Sequence, residues 1–173
     1  MQAPDGSPAV LALNPPEGES DVGVNPYYAA RFDEGVRNFN FLKYSESLQS
    51  VLFSENNQVV RYQRFGTLPA NSEVTEVLPD FSDWAGNMVA TTSTTFTTAD
   101  SPDLTNGTLV SSSVIPNATN VALNPVLVRE FSESIDPVSV TDSGVYLRDN
   151  STGDTVATTL DLSADGKRLT LVP

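Results

Sequence analysis

Carboxylates are the only abundant reactive groups in this sequence. There are 22 Asp and Glu against nine Lys and Arg, no histidine and no cysteine, for a formal charge of -13. Without histidine there is no Ser-His-Asp arrangement and no imidazole metal ligand. Without cysteine there is neither a disulfide nor a thiolate site. No Gly-rich loop runs from a strand into a helix, so no phosphate cradle is expected. A carboxylate pair for glycoside hydrolysis could sit among the acids, but nothing singles one out, and the chain reads as non-catalytic. Hard carboxylate oxygens suit divalent cations, the one partner class that the acidity favours.

Three places merit chemistry on residue type. Asp80 and Asp83, in DFSDWAGN, offer two oxygens of a calcium loop, but lack the alternating ligands and the later Glu of an EF-hand. The alternative is an Asx turn in which Gly86 takes a positive φ. Glu34 and Glu133 each follow a Phe by two residues at a strand end. They are either ligands at a domain end or charges that fix the strand exit. Trp84, the sole tryptophan, is either a lid on a core or a platform for a sugar ring, with the lid the expected role. Asn106-Gly-Thr108, Asn117-Ala-Thr119 and Asn150-Ser-Thr152 match the N-glycosylation triplet, a pattern that arises easily in a Thr-rich chain.

The elements that must position these residues announce themselves by repetition. Asp21 to Val36 (DVGVNPYYAARFDEGV) returns at Asn120 to Ile135 (NVALNPVLVREFSESI), offset by 99 residues, with five of sixteen positions identical. Stretches of average composition would share about one. Val51 to Tyr62 lines up with Leu160 to Leu171 at an offset of 109. Each copy has two β-rich runs around a polar turn, Ser54-Glu55-Asn56-Asn57 or Ser163-Ala164-Asp165-Gly166, a hairpin signal. The ten extra residues of the second copy fall around Asp136 to Ser143, where a loop insertion is expected to be harmless. A period near one hundred residues suits whole domains rather than solenoid units.

Other strands are expected at Val10 to Leu13, Tyr27 to Phe32, Glu73 to Leu78 and within the Thr-rich run Met88 to Thr98, since β-branched side chains fit a pleated surface. The stretch 38–50 is ambiguous: Phe39, Phe41 and Tyr44 suit a strand, whereas Ser45 to Leu52 suits a helical turn. Phe32 and Phe131 are the expected core residues. Short strands between turn signals, with no helical period, indicate an all-β sandwich. The negative charge argues against nucleic acid and an anionic membrane surface. No apolar run approaches the ~18 residues of a membrane span. Residues after Met1 lack the basic and apolar regions of a signal peptide, and the chain reads as an internal piece of something longer.

The string Asn25-Pro26, Phe32-x-Glu34-x-Val36, a hairpin, Leu68-Pro69, Asp83-x-x-Gly86-Asn87 and Phe96-Thr97-Thr98 resembles a bacterial Ig-like domain. The type is the one found in tandem in S-layer proteins and large surface adhesins. The resemblance covers residues 8–99 fully and 108–173 in part. It implies two Ig-like β-sandwiches: a lead-in at 1–7, a seven-stranded domain at 8–99, a linker at 100–107 and a truncated second domain at 108–173. It also implies a spacer or adhesive role at the cell surface or outside the cell. The alternatives are a module that binds carbohydrate or protein through its loops, or an accessory domain of an extracellular polysaccharide-active enzyme. Related adhesins are stiffened by calcium between domains, so Asp100 and Asp103, which flank Ser101-Pro102, are either calcium ligands or part of an ordinary acidic linker, with the linker the expected role. The aligned second copy stops at Pro173, the counterpart of Arg64, and so lacks the counterpart of residues 65–99. Residues 108–173 are then expected to be either a fragment of a longer natural chain or completed by strands from a neighbouring molecule, including strand exchange between copies.

Overall fold

A computed structural model describes residues 6–38 and 48–173. The chain divides into two compact units, residues 1–104 and 105–173, inside the stretch read as linker. Each is treated by itself.

In the first unit four strands form one antiparallel sheet: β1 (Val10–Asn14), β2 (Tyr28–Phe32), β4 (Leu48–Ser54) and β5 (Val59–Arg64), in the order β1-β2-β5-β4. Leu48 to Leu52 are therefore strand and not a helical turn; the remainder of that ambiguous segment, 39–47, lies outside the described residues. Opposite lie two short ladders. β3 (Arg37–Asn38) pairs with β7 (Phe81–Ser82), and β6 (Glu73–Val77) pairs with β8 (Ser93–Thr97). Only Leu78-Pro79-Asp80 separates β6 from β7. Pro79 has no N–H to give a ladder, so one strand course is interrupted there.

Alternation resolves the face that the sequence leaves open. Tyr28, Ala30 and Phe32 of β2 turn inward with Val60 and Tyr62 of β5, to meet Leu78, Phe81 and Phe96 from the other layer. Tyr28 stacks on Tyr62 at 5.2 Å, and Phe32 meets the ring of Phe81 edge-on at 5.7 Å. Arg31 faces outward and pairs with Glu55 at 3.0 Å.

The segment after β1 crosses to the second layer. Gly18 and Val22 donate to the carbonyls of Thr95 and Thr97, at 2.7 and 3.1 Å. Thr97 and Ala99 donate to those of Glu19 and Val22, at 2.8 and 2.7 Å. Val22 and Thr98 form a parallel bridge. Gly18 and Asp21 hold positive φ of 76° and 58°, a conformation that Gly and Asp tolerate better than most residues.

The second unit carries β9 (Leu109–Ser112), β10 (Leu127–Phe131), β13 (Thr159–Leu162) and β14 (Arg168–Val172), in the order β13-β14-β10-β9. This reproduces the first sheet in register. Tyr28 faces Tyr62, and Leu127 faces Leu171; Val51 faces Tyr62, and Leu160 faces Leu171. Both first strands shift register one residue in, at Leu11 and at Val110. Phe32 N–H donates to Gln58 O, and Phe131 N–H to Lys167 O, both at 2.8 Å. Between β10 and β13 come a 3-10 turn, Pro137–Ser139, and a hairpin of β11 (Leu147–Arg148) with β12 (Thr155–Val156).

Two expectations fail here. Phe131 is only half-buried, whereas Phe32 is 1 % exposed. Phe32 is capped by Phe81, and the counterpart of Phe81 lies outside the aligned second copy. Nor is the ten-residue insertion a neutral loop: Val138, within it, is fully buried. Asp136 holds the turn in place by accepting from Val138 N–H at 2.8 Å.

The two copies of the hairpin turn solve one crowding problem differently. A Cβ on Gly35 would sit 2.6 Å from the Asn56 carbonyl. In the second copy position 35 is Ser134, and the glycine is Gly166, whose Cβ would lie 2.7 Å from that of Ser134. The turns differ accordingly: Glu55, Asn56 and Asn57 are all left-handed, while in the second turn Gly166, at φ 67°, is.

Candidate functional site

Trp84 stands on the turn that leaves β7. Asp83 is buried, and its carboxylate accepts from the backbone N–H groups of Gly86 at 2.6 Å and Asn87 at 2.8 Å, and from Asn87 Nδ2 at 2.6 Å. Gly86 takes φ 97°, as an Asx-type turn requires. Burial raises the Asp83 pKa, but the bonds from Asn87 and Gly86 outweigh it and hold the carboxyl below its usual value. The turn throws Trp84 outward. Its side chain is 69 % exposed, so it is not a lid on the core. The guanidinium of Arg37 lies 5.6 Å from the ring centroid, a cation–π distance, while Arg37 Nε donates to Ser82 Oγ at 3.4 Å.

A second polar cluster went unseen in the sequence. Glu76 occupies an inward position of β6 between Val74 and Leu78, and is buried. Arg64 Nε donates to both its oxygens, at 2.8 and 3.0 Å, and Tyr62 Oη donates to Oε1 at 3.0 Å. Burial, then the charge of Glu76, pushes the Tyr28 hydroxyl up to about 12 and that of Tyr62 higher. Burial lowers the Arg64 pKa, yet its bond to and attraction for Glu76 leave it raised. The Tyr28 hydroxyl is buried with no hydrogen-bond partner. It borders a cavity of about 10 Å³ between Leu13, Glu76 and Thr94, room for one water and no substrate. The signal available in the sequence was a Glu in register with Val74.

The remaining candidates lie apart. Asp100 Oδ1 accepts from Ser101 Oγ at 3.0 Å. Asn25 clasps the backbone of Asp103, accepting from its N–H at 3.0 Å and donating to its carbonyl at 3.4 Å. Gly23 makes room, since a Cβ there would lie 2.7 Å from Asp103 N. Among the described residues no group of three or more acidic, His or Cys side chains is placed to hold a metal ion. A calcium site at Asp100 and Asp103 would therefore draw on two carboxylates and main-chain carbonyls. Glu34 and Glu133 are half-buried at their strand exits. Asn106, Asn117 and Asn150 are exposed. Among the described residues no helix is long and apolar enough to cross a membrane.

Residues 103–173 match the family described as a bacterial Ig-like domain. No curated protein matches the chain. Among solved structures, L,D-transpeptidase 3 from Mycobacterium tuberculosis is 22% identical over 53% of this chain and 37% of its own, with a TM-score of 0.32. The S-layer protein rSbsC(31-844) is 16% identical over 94% of this chain and 22% of its own, at 0.37. An L,D-transpeptidase from M. tuberculosis H37Rv is 17% identical over 92% and 71%, at 0.30. The chain thus spans little more than a third of the first of these proteins, at 37% of its length.

Proposed function

We propose that this chain, whose residues 103–173 are a bacterial Ig-like domain, is a non-catalytic, load-bearing spacer of a bacterial cell-surface or secreted protein. The observation that carries this reading is the parallel pairing of Gly18–Val22 with Thr95–Ala99. The first of these segments lies near the start of the first unit and the second near its end. Tension applied through the two ends pulls such parallel segments along their length. Their four backbone bonds are then loaded together in shear, whereas an unzipping hairpin would load them one at a time. The polar side chains buried in the unit serve the fold: Asp83 holds a turn and Glu76 a cross-layer clasp.

Force spectroscopy on the chain held by its termini tests this. Ala99→Pro deletes the N–H that binds Val22 O at 2.7 Å and sets its ring against that oxygen, which should cost at least about 1–3 kcal/mol at equilibrium. The unfolding force of the first unit should fall sharply, because one bond of the loaded set is gone. An unchanged force, beside a measurable equilibrium loss, would remove the load-bearing argument.

A second reading has its own observation. Trp84, exposed and flanked by Arg37, is the arrangement on which a sugar ring can stack. As the sole tryptophan it reports directly: a saturable fluorescence change with a soluble polysaccharide, lost in Trp84→Ala, would favour a binding module.

A further inference from the structure

Asn106-Gly107 is the one Asn-Gly step in the chain, and it stands just ahead of β9. The repeat fixes what surrounds it. Thr108 N–H donates to Ser132 Oγ and Ser132 N–H to Thr108 O, both at 2.9 Å. In the first unit Ala9 N–H donates to Asp33 Oδ1 at 2.8 Å, and Asp33 N–H to Ala9 O at 3.1 Å. Gly107 therefore occupies the place of Pro8, and Asn106 that of Ser7. A proline has no N–H, so the fold asks for no hydrogen bond from the nitrogen at that place. The Gly107 N–H accordingly makes none among the described residues. The Asn106 carboxamide has no partner there either and is exposed, as Ser7 is in the first unit, which carries both its layers. Glu133, two residues past the end of β10, is half-buried and reaches this step. Its carboxylate lies so close that a Cβ on Gly107 would be 2.7 Å from Oε1. No hydrogen bond or ion pair among the described residues engages that carboxylate.

We infer that Asn106 is a site of spontaneous deamidation, with Glu133 as the base. Glycine has no side chain to shield its nitrogen and the widest choice of backbone angles, so Gly107 N can reach the Asn106 side-chain carbonyl carbon. The bond from Gly107 N to Asn106 Cγ forms while the N–H proton passes to the Glu133 carboxylate. The Cγ–Nδ2 bond then breaks, and ammonia leaves carrying that proton, which restores the carboxylate. The product is a five-membered cyclic imide. Water opens it at either carbonyl, leaving an aspartate or, where the main chain now runs through the side-chain carbon, an isoaspartate at position 106. Overall one water is consumed and one ammonia released, with no oxidant, reductant or cofactor. The new carboxylate puts a like charge beside Glu133. The isoaspartate also lengthens the main chain by a methylene, two residues ahead of the Thr108–Ser132 pair that opens β9. Escape of ammonia makes the change irreversible, so the converted fraction records the age of a molecule.

The test is to hold the full chain at neutral pH and follow position 106 by peptide mapping in a mass spectrometer, beside a synthetic peptide of residues Leu104–Ser111 that lacks Glu133. Conversion at position 106 should outpace that of the peptide and of every other asparagine in the chain, and should yield both aspartate and isoaspartate. Glu133→Gln keeps the size of the side chain and removes the base. It should slow conversion at least about tenfold, somewhat less than the hundredfold or more of an ideally placed base. Gly107→Pro installs the residue that the first unit carries at this place and removes the attacking N–H, so conversion should stop. Circular dichroism of both variants should match that of the native chain. The inference is overturned if position 106 is unchanged when the peptide has converted. It is also overturned if a folded Glu133→Gln chain converts at the native rate, or if Asn106 still loses ammonia at that rate in Gly107→Pro.

Discussion

Truncating Phe32 and Phe131 separately measures how far the two units differ in depth of packing. Phe32 is fully enclosed, and its ring meets Phe81, which in turn meets Phe53 at 6.2 Å. Phe32→Ala removes the ring from water-free surroundings and leaves a cavity that the two-layer packing cannot close, so it should cost about 3–5 kcal/mol. For a unit of this size each kcal/mol moves the midpoint by roughly 4–8 °C. The first unit should therefore melt at least about 12 °C lower, and a unit of ordinary stability would be near its limit. Phe131, at the same place in the repeated sheet but half-buried, has about half its ring to lose and no enclosed cavity to leave. Phe131→Ala should cost no more than about 2 kcal/mol. Urea unfolding separates the two, because Trp84 fluorescence reports only the first unit, while far-ultraviolet circular dichroism reports both. Equal costs for the two substitutions, or less than about 1 kcal/mol for Phe32→Ala, would show that the inward face is misassigned.

Other measurements bear on separate parts of the molecule. Tyr28 and Tyr62 have hydroxyl pKa values raised by burial, so the stability they confer is intact below about pH 10 and lost as the pH rises towards 12 and beyond. Absorbance titration at alkaline pH should show two of the five tyrosines ionising only with unfolding of the first unit, and normal ionisation of all five would contradict their burial. Asp83 has a lowered pKa, so its contribution is present above the ordinary carboxylate range and lost as the pH falls through its depressed value; Asp83→Asn should flatten the acid limb of a pH–stability curve. Glu76→Gln should cost about 1.5–3 kcal/mol, the range for hydrogen bonds to a charged group, because Arg64, left without its charge partner, is partly open to solvent; a cost near zero would mean that the pair is hydrated. Calorimetry with millimolar calcium, on the native chain and on Asp103→Ala, tests the two carboxylates at Asp100 and Asp103; heat that survives the substitution places the ion elsewhere.

What could be read from the sequence was whatever the repeat duplicated. Offsets of 99 and 109 residues align Phe32 with Phe131 and Tyr62 with Leu171, and the strands pair in those registers because a one-residue slip would turn every side chain to the wrong face. Contacts made once, across layers, were not legible. Glu76 is a charged residue in an apolar register, and only the arrival of Arg64 and Tyr62 from another strand makes that position tenable. Trp84 was misread because apolarity alone suggested burial, whereas the Asp83 turn fixes where the side chain points. Val138 lies in an insertion with no counterpart in the first copy, so the alignment had nothing to say about its burial.

The differing hairpin turns carry a lesson for exchange of parts between the units. Gly35 coexists with a left-handed Glu-Asn-Asn turn, and Ser134 with a turn closed by Gly166; each loop is matched to the strand exit beneath it. Exchange is therefore free in one direction only. Grafting the second turn onto the first strand pair would leave Gly35 merely superfluous, but replacing Gly35 with Ser under the native turn would drive a side chain into the Asn56 carbonyl.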